Sequence, residues 1–289
     1  MKLKDSFHPY AVVTIVFWSL AYVFTRLALQ YFSALSLGFL RYLIASVTLA
    51  VVAVLFKIKP PAKKDWGWFL LSGAVGFFLY MILFNVGSQS VTASTGSVVI
   101  ATVPILTALA ARIFYSERLK GIQWIAIGVE FSGILLLTLM NGAFTMNRGI
   151  LWLLVAACAL SAYNLLQRRL TKSYSALQAS TYSIFAGTAM LAVFLPESMA
   201  ELRGAPGVQL FYIVILGVFC SAIAYVSWSK AFAKAPRTSS VSNYMFVTPF
   251  LTTLLGFLLA NELPDTSTLL GGAVILCGAF LFHFRGNAA

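Results

Sequence analysis

Charge is scarce in this chain, and acidic charge is scarcest. Its 289 residues include eight Asp or Glu against twenty Lys or Arg, and only 10% are charged at all. With 60% hydrophobic residues and a mean hydropathy of +0.90, there is too little polar surface to clothe a water-soluble domain. The three cysteines, Cys158, Cys220 and Cys277, lie inside apolar runs without the close spacing of a metal site, and read as small helix-packing residues. The two histidines, His8 and His283, stand at opposite chain ends, and no HExxH, nucleophile elbow, carboxylate pair or GxxxxGK[ST] phosphate loop is present. Enzyme chemistry, nucleotide binding, a metal and a cofactor are therefore not expected. The net charge of +12 does not indicate nucleic acid either, because the basic residues fall between apolar runs.

Those runs are what the chain has in abundance. Ten are long enough to cross a bilayer at roughly 17 to 25 residues per crossing: 9–30, 34–56, 66–86, 94–115 and 122–140, then 150–170, 176–195, 208–232, 239–260 and 269–284. Lys2 and Lys4 precede the first, which reads as an uncleaved membrane helix. The connections are short, the longest being around 196–207, so no soluble domain is expected. With a cytoplasmic N-terminus, sixteen Lys or Arg lie on the cytoplasmic side and three, Arg26, Arg148 and Arg203, outside. That bias places both termini in the cytoplasm.

The segment 92–117, TASTGSVVIATVPILTALAARIFYSE, has an echo 145 residues later at 237–262, RTSSVSNYMFVTPFLTTLLGFLLANE. Ser94 meets Ser239, Ser97 meets Ser242, Pro104 meets Pro249, Thr107 meets Thr252 and Glu117 meets Glu262; further on, Gly133 meets Gly278. This is an internal repeat, giving halves 1–145 and 146–289. Five spans is an odd number, so the second half should be inverted relative to the first. In each copy a proline interrupts an apolar helix and frees a backbone carbonyl, which in lipid needs protein or a cavity to satisfy it. Pro104 and Pro249 are thus expected to bend helices beside a central site.

Ionisable residues inside the spans are few and informative, since each costs about 2.5 to 3.5 kcal/mol at mid-helix on insertion scales. Arg41, in FLRYLIA, either anchors a substrate carboxylate or is structural, snorkelling or paired. Glu130, in GVEFSG, is either a proton-carrying carboxylate or a neutral, hydrogen-bonded side chain at a helix or subunit contact. Glu117 and Glu262 stand at helix junctions, where each suits the N-terminus of the following helix. Aromatic and amide stripes add candidate lining: Trp18 with Tyr22, Tyr163 with Gln167, Tyr80 matched to Tyr225, then Trp228, Asn243 and Tyr244, with Ser97 ahead of Pro104. The alternative for each is ordinary packing or an interface belt.

FWSLAYVFTRLAL, FLRYLIA and the duplicated run of small polar residues, proline, apolar stretch and Glu together resemble the drug/metabolite transporter superfamily, specifically its EamA-type ten-helix exporters. The resemblance spans nearly the whole chain. It implies an all-α integral membrane protein with ten transmembrane helices, two inverted five-helix repeats around a central cavity, and the fifth and tenth helices at the periphery. Tyr80, Ser97, Pro104, Tyr225, Asn243 and Pro249 would then face the cavity, with Trp18, Tyr22, Tyr163 and Gln167 near them and Glu130 away from it. Family members export amino acids and other small metabolites. The expectation is therefore a bacterial inner-membrane exporter working by alternating access, as a monomer or homodimer in the lipid bilayer. The rival is a proton-coupled exporter of cationic drugs; a non-transporting scaffold or channel is a second.

Overall fold

The computed structural model describes residues 6–115, 119–139 and 148–284. Lys2, Lys4, Glu117, Arg118, Met140 and Arg285 lie outside the described residues, as do the side chains of Ser239 and His283. All regular structure among the described residues is helical. In chain order the helical stretches are α1 His8–Ala28, α2 Ala34–Leu55, α3 Lys63–Ser88, α4 Ala93–Tyr115 and α5 Gly121–Leu139. Then come α6 Arg148–Leu170, α7 Ala176–Arg203, α8 Gly207–Lys234, α9 Ser240–Ala260 and α10 Thr266–Phe284. Among the described residues, eight helices, α1 to α4 and α6 to α9, are long and apolar enough to cross a membrane. Large apolar side chains such as Val54, Leu55, Ile113 and Phe114 stand exposed on the outside, as a lipid-facing surface requires.

Helix starts are written in hydroxyl caps. Ser33 accepts from the Ser36 N–H before α2, Thr92 from Thr95 before α4, and Ser175 from Gln178 before α7. One expectation fails nearby. The longest connection, 196–207, is mostly helix: α7 tightens into a 3₁₀ turn at Ala192–Phe194 and resumes as Leu195–Arg203. Pro196 sits in the first turn of that segment, where its missing N–H leaves no bond unmade.

The two halves interlock. The first helix of each packs against the third and fourth of the other, α1 on α8 and α9, and α6 on α3 and α4. Between α3 and α7 the backbones close up at Gly73 and Gly187, while α5 and α10 pair along Gly133 and Gly278. The main hydrophobic core runs through α1 to α4 and α6 to α9, and a smaller cluster of Ile105, Ala108, Ala126 and Phe282 joins α5 and α10 to α4.

Two helices carry an irregularity that the sequence pattern did not reveal. A π-helical stretch occupies Ala74–Leu79 in α3 and Val218–Ile223 in α8, at nearly the same place in each half. Such segments shift hydrogen bonds and leave carbonyls available, often beside functional sites. Tyr80 and Tyr225 follow directly or nearly so.

Candidate functional site

Arg41 lies one-third of the way along α2 and is 3% exposed. Its Nε donates to Ser221 Oγ at 2.7 Å and its Nη2 to the Cys220 carbonyl at 3.3 Å, both within the π-helical stretch of α8. Its guanidinium carbon sits 5.7 Å from the centre of the Tyr42 ring. No carboxylate pairs with it among the described residues. Around it, Trp18, Tyr22, Tyr80, Phe84, Tyr225 and Met245 enclose a cavity of about 20 Å³. That is room for about one water. The rings have closed on one another: Trp18 lies 5.1 Å from Tyr225, Tyr22 lies 5.3 Å from Phe84, and Tyr80 stacks on Phe84 at 5.5 Å. The buried indole N–H of Trp18 has no hydrogen-bond partner among the described residues.

Behind the cavity wall a polar network ties five helices together, α3, α4, α6, α7 and α8. Trp228 Nε1 donates to Asn164 Oδ1 at 3.0 Å, and Asn164 Nδ2 to Thr107 Oγ1 at 3.3 Å. Gln167 accepts from Ser229 at 2.9 Å and donates to Ser72 at 3.1 Å, while Ser180 and Ser229 share a 2.6 Å bond. All these side chains are buried, so their pairing avoids the penalty of a stranded polar group. Gln167 is thus taken up by serine hydroxyls, and Trp228 backs the wall, 4.9 Å from Trp18. Tyr163, wholly buried, packs against Phe77 and Tyr225 at 5.1 and 5.6 Å.

Each end of the bundle has an arginine clamp. At one end Arg26 Nε meets Glu262 Oε1 at 3.2 Å, and its Nη1 reaches the Ser88 and Gln89 carbonyls, both at 3.1 Å, at the close of α3. Glu262 Oε2 accepts from the Ala93 N–H at 2.9 Å. The expectation that Glu262 serves the following helix is corrected here: it serves α4, brought round by tertiary packing, and Asp265 caps α10 through the Thr268 N–H at 2.7 Å. Asn261 makes this possible by ending α9 in a left-handed turn at φ 54. At the other end Arg168 donates to the carbonyls of Phe232, Ala235 and Pro236 at 2.8, 2.6 and 2.8 Å, closing α8. There, too, Tyr174 donates to Asp65 Oδ2 at 2.5 Å, a bond that raises the phenol pKa. Arg26 and Arg168 are 142 residues apart, as are the caps Ser33 and Ser175, so the first two helices of each half correspond at a shift slightly different from 145.

The EamA-like transporter family matches residues 7–139 and again 147–284. The chain belongs to the EamA-like transporter family. It is therefore a multi-pass membrane transporter of the drug/metabolite transporter superfamily. It is 32% identical over 273 residues to the uncharacterized transporter YdfC of Bacillus subtilis, covering 93% of this chain and 88% of that protein. It is 30% identical over 274 residues to a probable terminal-alkyne amino-acid exporter of Streptantibioticus cattleyicolor, covering 95% and 92%. A crystal structure of another protein shares the fold at TM-score 0.68 and 17% identity, covering 98% of this chain and 99% of that one.

Within this EamA transporter the other candidates lie elsewhere. Asn243 and Tyr244 line a peripheral groove with Phe7, His8 and Phe280, where Tyr244 and His8 are hydrogen-bonded. Ser97 donates to Ser94 O of its own helix at 2.7 Å. Pro104 and Pro249 each begin the second part of a broken helix, after Ala101–Thr102 and after the 3₁₀ stretch Asn243–Val247. Pro249 borders a recess against α10. Glu130 is 2% exposed and meets Gly278 between α5 and α10, away from Arg41, with neither carboxylate oxygen bonded among the described residues.

On α9 the cavity is lined instead by Met245 and Thr248. The 3₁₀ stretch turns three residues per turn rather than 3.6, which rotates the helix face. The signal available in the sequence was Pro249, whose restriction of the preceding turn warned that a regular wheel would slip.

Proposed function

We propose that this protein exports amino acids or closely related small carboxylates by alternating access, with Arg41 holding the substrate carboxylate. It would span a bacterial inner membrane ten times, as two inverted five-helix repeats with α5 and α10 at the periphery and both termini cytoplasmic. The duplicated sequence, the two separate family matches and the sixteen-to-three basic bias support that arrangement. The observation that carries the substrate reading is a buried guanidinium and an unpartnered indole N–H on one aromatic-lined cavity, with no carboxylate among the described lining residues. Buried donors of this kind call for an acceptor-rich ligand. The amino-acid exporter among the relatives supports the same class. At about 20 Å³ the cavity cannot hold such a substrate until the rings part, so binding must be coupled to helix movement.

The test is counterflow in proteoliposomes preloaded with single unlabelled amino acids, following uptake of a labelled aromatic amino acid with and without a proton gradient. Stimulation by particular internal amino acids supports the reading; no stimulation by any of them sinks it. The cationic-drug rival predicts that Glu130→Gln abolishes transport. We expect that variant to retain counterflow within about twofold, because Glu130 lies between α5 and α10 and a positive cavity repels cations.

In this reading the Arg26–Glu262 clamp closes the external side. Arg26 and Glu262 are 30% and 18% exposed, so the pair contributes only about 1 kcal/mol after solvent screening. Arg26→Gln should therefore raise outward opening about fivefold. The rate at which an impermeant maleimide labels Ala21→Cys from outside measures it, and an unchanged rate would refute the role.

A further inference from the structure

A groove of about 560 Å³ runs between α3, α4 and α6, apart from the Arg41 cavity. Its walls are almost wholly apolar, built by Leu71, Val75, Leu106, Phe114, Ala162 and Leu166. Along α6 it extends from Cys158 to Arg169, roughly 16 Å at 1.5 Å per residue. That matches one leaflet of a hydrocarbon core about 30 Å thick.

One end of the groove is charged. Arg169 lies over the Trp68 ring at 3.9 Å and the Lys172 ammonium lies 5.6 Å from the Tyr115 ring centre. Both cations are exposed, and neither has a carboxylate partner among the described residues. Asp65, at the start of α3, is engaged by Tyr174 instead. Trp68, Tyr115 and Arg169 stand near the ends of their helices on the same face, so the cations sit where the apolar groove reaches the membrane surface.

We infer that this groove binds an anionic phospholipid, one acyl chain lying against α3, α4 and α6 and the phosphate headgroup meeting Arg169 and Lys172. An acyl chain loses nothing by contact with these walls, whereas a zwitterionic amino acid would shed its hydration there without partners. Exposed basic residues with no carboxylate partner among the described residues, beside a groove between membrane helices, complement an anionic headgroup at that depth. The site is independent of the transport reading, since it uses none of the residues around Arg41.

Native mass spectrometry of the full chain, delipidated and titrated with phosphatidylglycerol or phosphatidylcholine, tests it. Wild type should retain phosphatidylglycerol in preference to phosphatidylcholine. Arg169→Gln with Lys172→Gln should cut that preference about thirtyfold, on the order of 2 kcal/mol for two surface charges. Ala162→Phe, which fills the groove from an exposed helix position, should lower retention of both lipids. Lys63→Gln with Lys64→Gln removes two exposed charges that do not border the groove and should leave the preference intact. Melting of each variant in lipid-free detergent separates lost folding from lost binding. The inference is overturned if the two lipids bind equally, if the Lys63 and Lys64 pair matters as much as Arg169 and Lys172, or if amino acids displace the lipid. Counterflow of amino acids is read separately, so either proposal can fail alone.

Discussion

Arg41→Gln is expected to lower amino-acid counterflow at least about a hundredfold while leaving the protein folded. A carboxylate brought to a buried guanidinium makes charge-assisted bonds, and losing one partner of such a desolvated pair costs about 3 to 5 kcal/mol. Even the lower figure exceeds two factors of ten. Among the described residues the guanidinium is met by Ser221 Oγ, the Cys220 carbonyl and the Tyr42 ring, and by no carboxylate. Replacing an unneutralised buried charge by a neutral amide removes a desolvation cost, so the melting temperature should hold or rise. Arg41→Lys should recover only part of the activity, because an ammonium lacks the planar fork that meets a carboxylate twice. The affinity for a substrate lacking its carboxylate should be indifferent to the change. Wild-type counterflow in Arg41→Gln would assign Arg41 to structure and remove the basis of the substrate class.

Gly73→Leu should destabilise the bundle by about 3 kcal/mol, the upper part of the usual range for overpacking. A Cβ at Gly73 would come within 2.6 Å of Ala186 Cβ, 2.8 Å of the Gly187 nitrogen and 2.8 Å of the Ser183 carbonyl oxygen. At Gly187 a Cβ would stand 2.3 Å from Phe77 Cβ. Two of the atoms opposing Gly73 belong to backbone, so no rotamer change relieves them and α3 must move off α7. Small residues let membrane helices approach this closely, where packing rather than apolar burial drives association. Gly128→Ala is the comparison, since nothing lies within 4 Å of the Cβ it would add. Unfolding of both in detergent with increasing SDS measures the difference; equal midpoints would mean that the α3–α7 contact bears little of the stability.

The pattern of apolar runs made most helices legible, because a membrane chain must pair its backbone within each helix and must be apolar for the length of the crossing. The repeat was legible at 145 residues through Pro104 and Pro249, and it matched Tyr80 with Tyr225, both found on the cavity. The 142-residue correspondence of Arg26 with Arg168 is not legible at the 145-residue shift, because the connections differ in length between the halves and no identical run surrounds either arginine. Trp18 and Tyr22, four residues apart on a regular helix, meet the same cavity as their spacing requires. Asn243 and Tyr244 face a different groove because the 3₁₀ stretch rotates that part of α9.

By itself, then, the sequence determined a helical membrane chain, its duplication and the aromatic and basic residues from which a site is built, since these depend on composition, spacing and the cost of burying charge. Only the tertiary structure decided which residues share the cavity, that Glu262 serves α4 rather than α10, that Gln167 belongs to a serine network, and that a cation-ended groove lies between α3, α4 and α6. Those outcomes depend on π and 3₁₀ segments and on interlocking between the halves. The interlocking is set by contacts between helices distant in the chain, which no local pattern encodes, and Pro249 marks where the α9 helix breaks without telling which side chains then face the cavity.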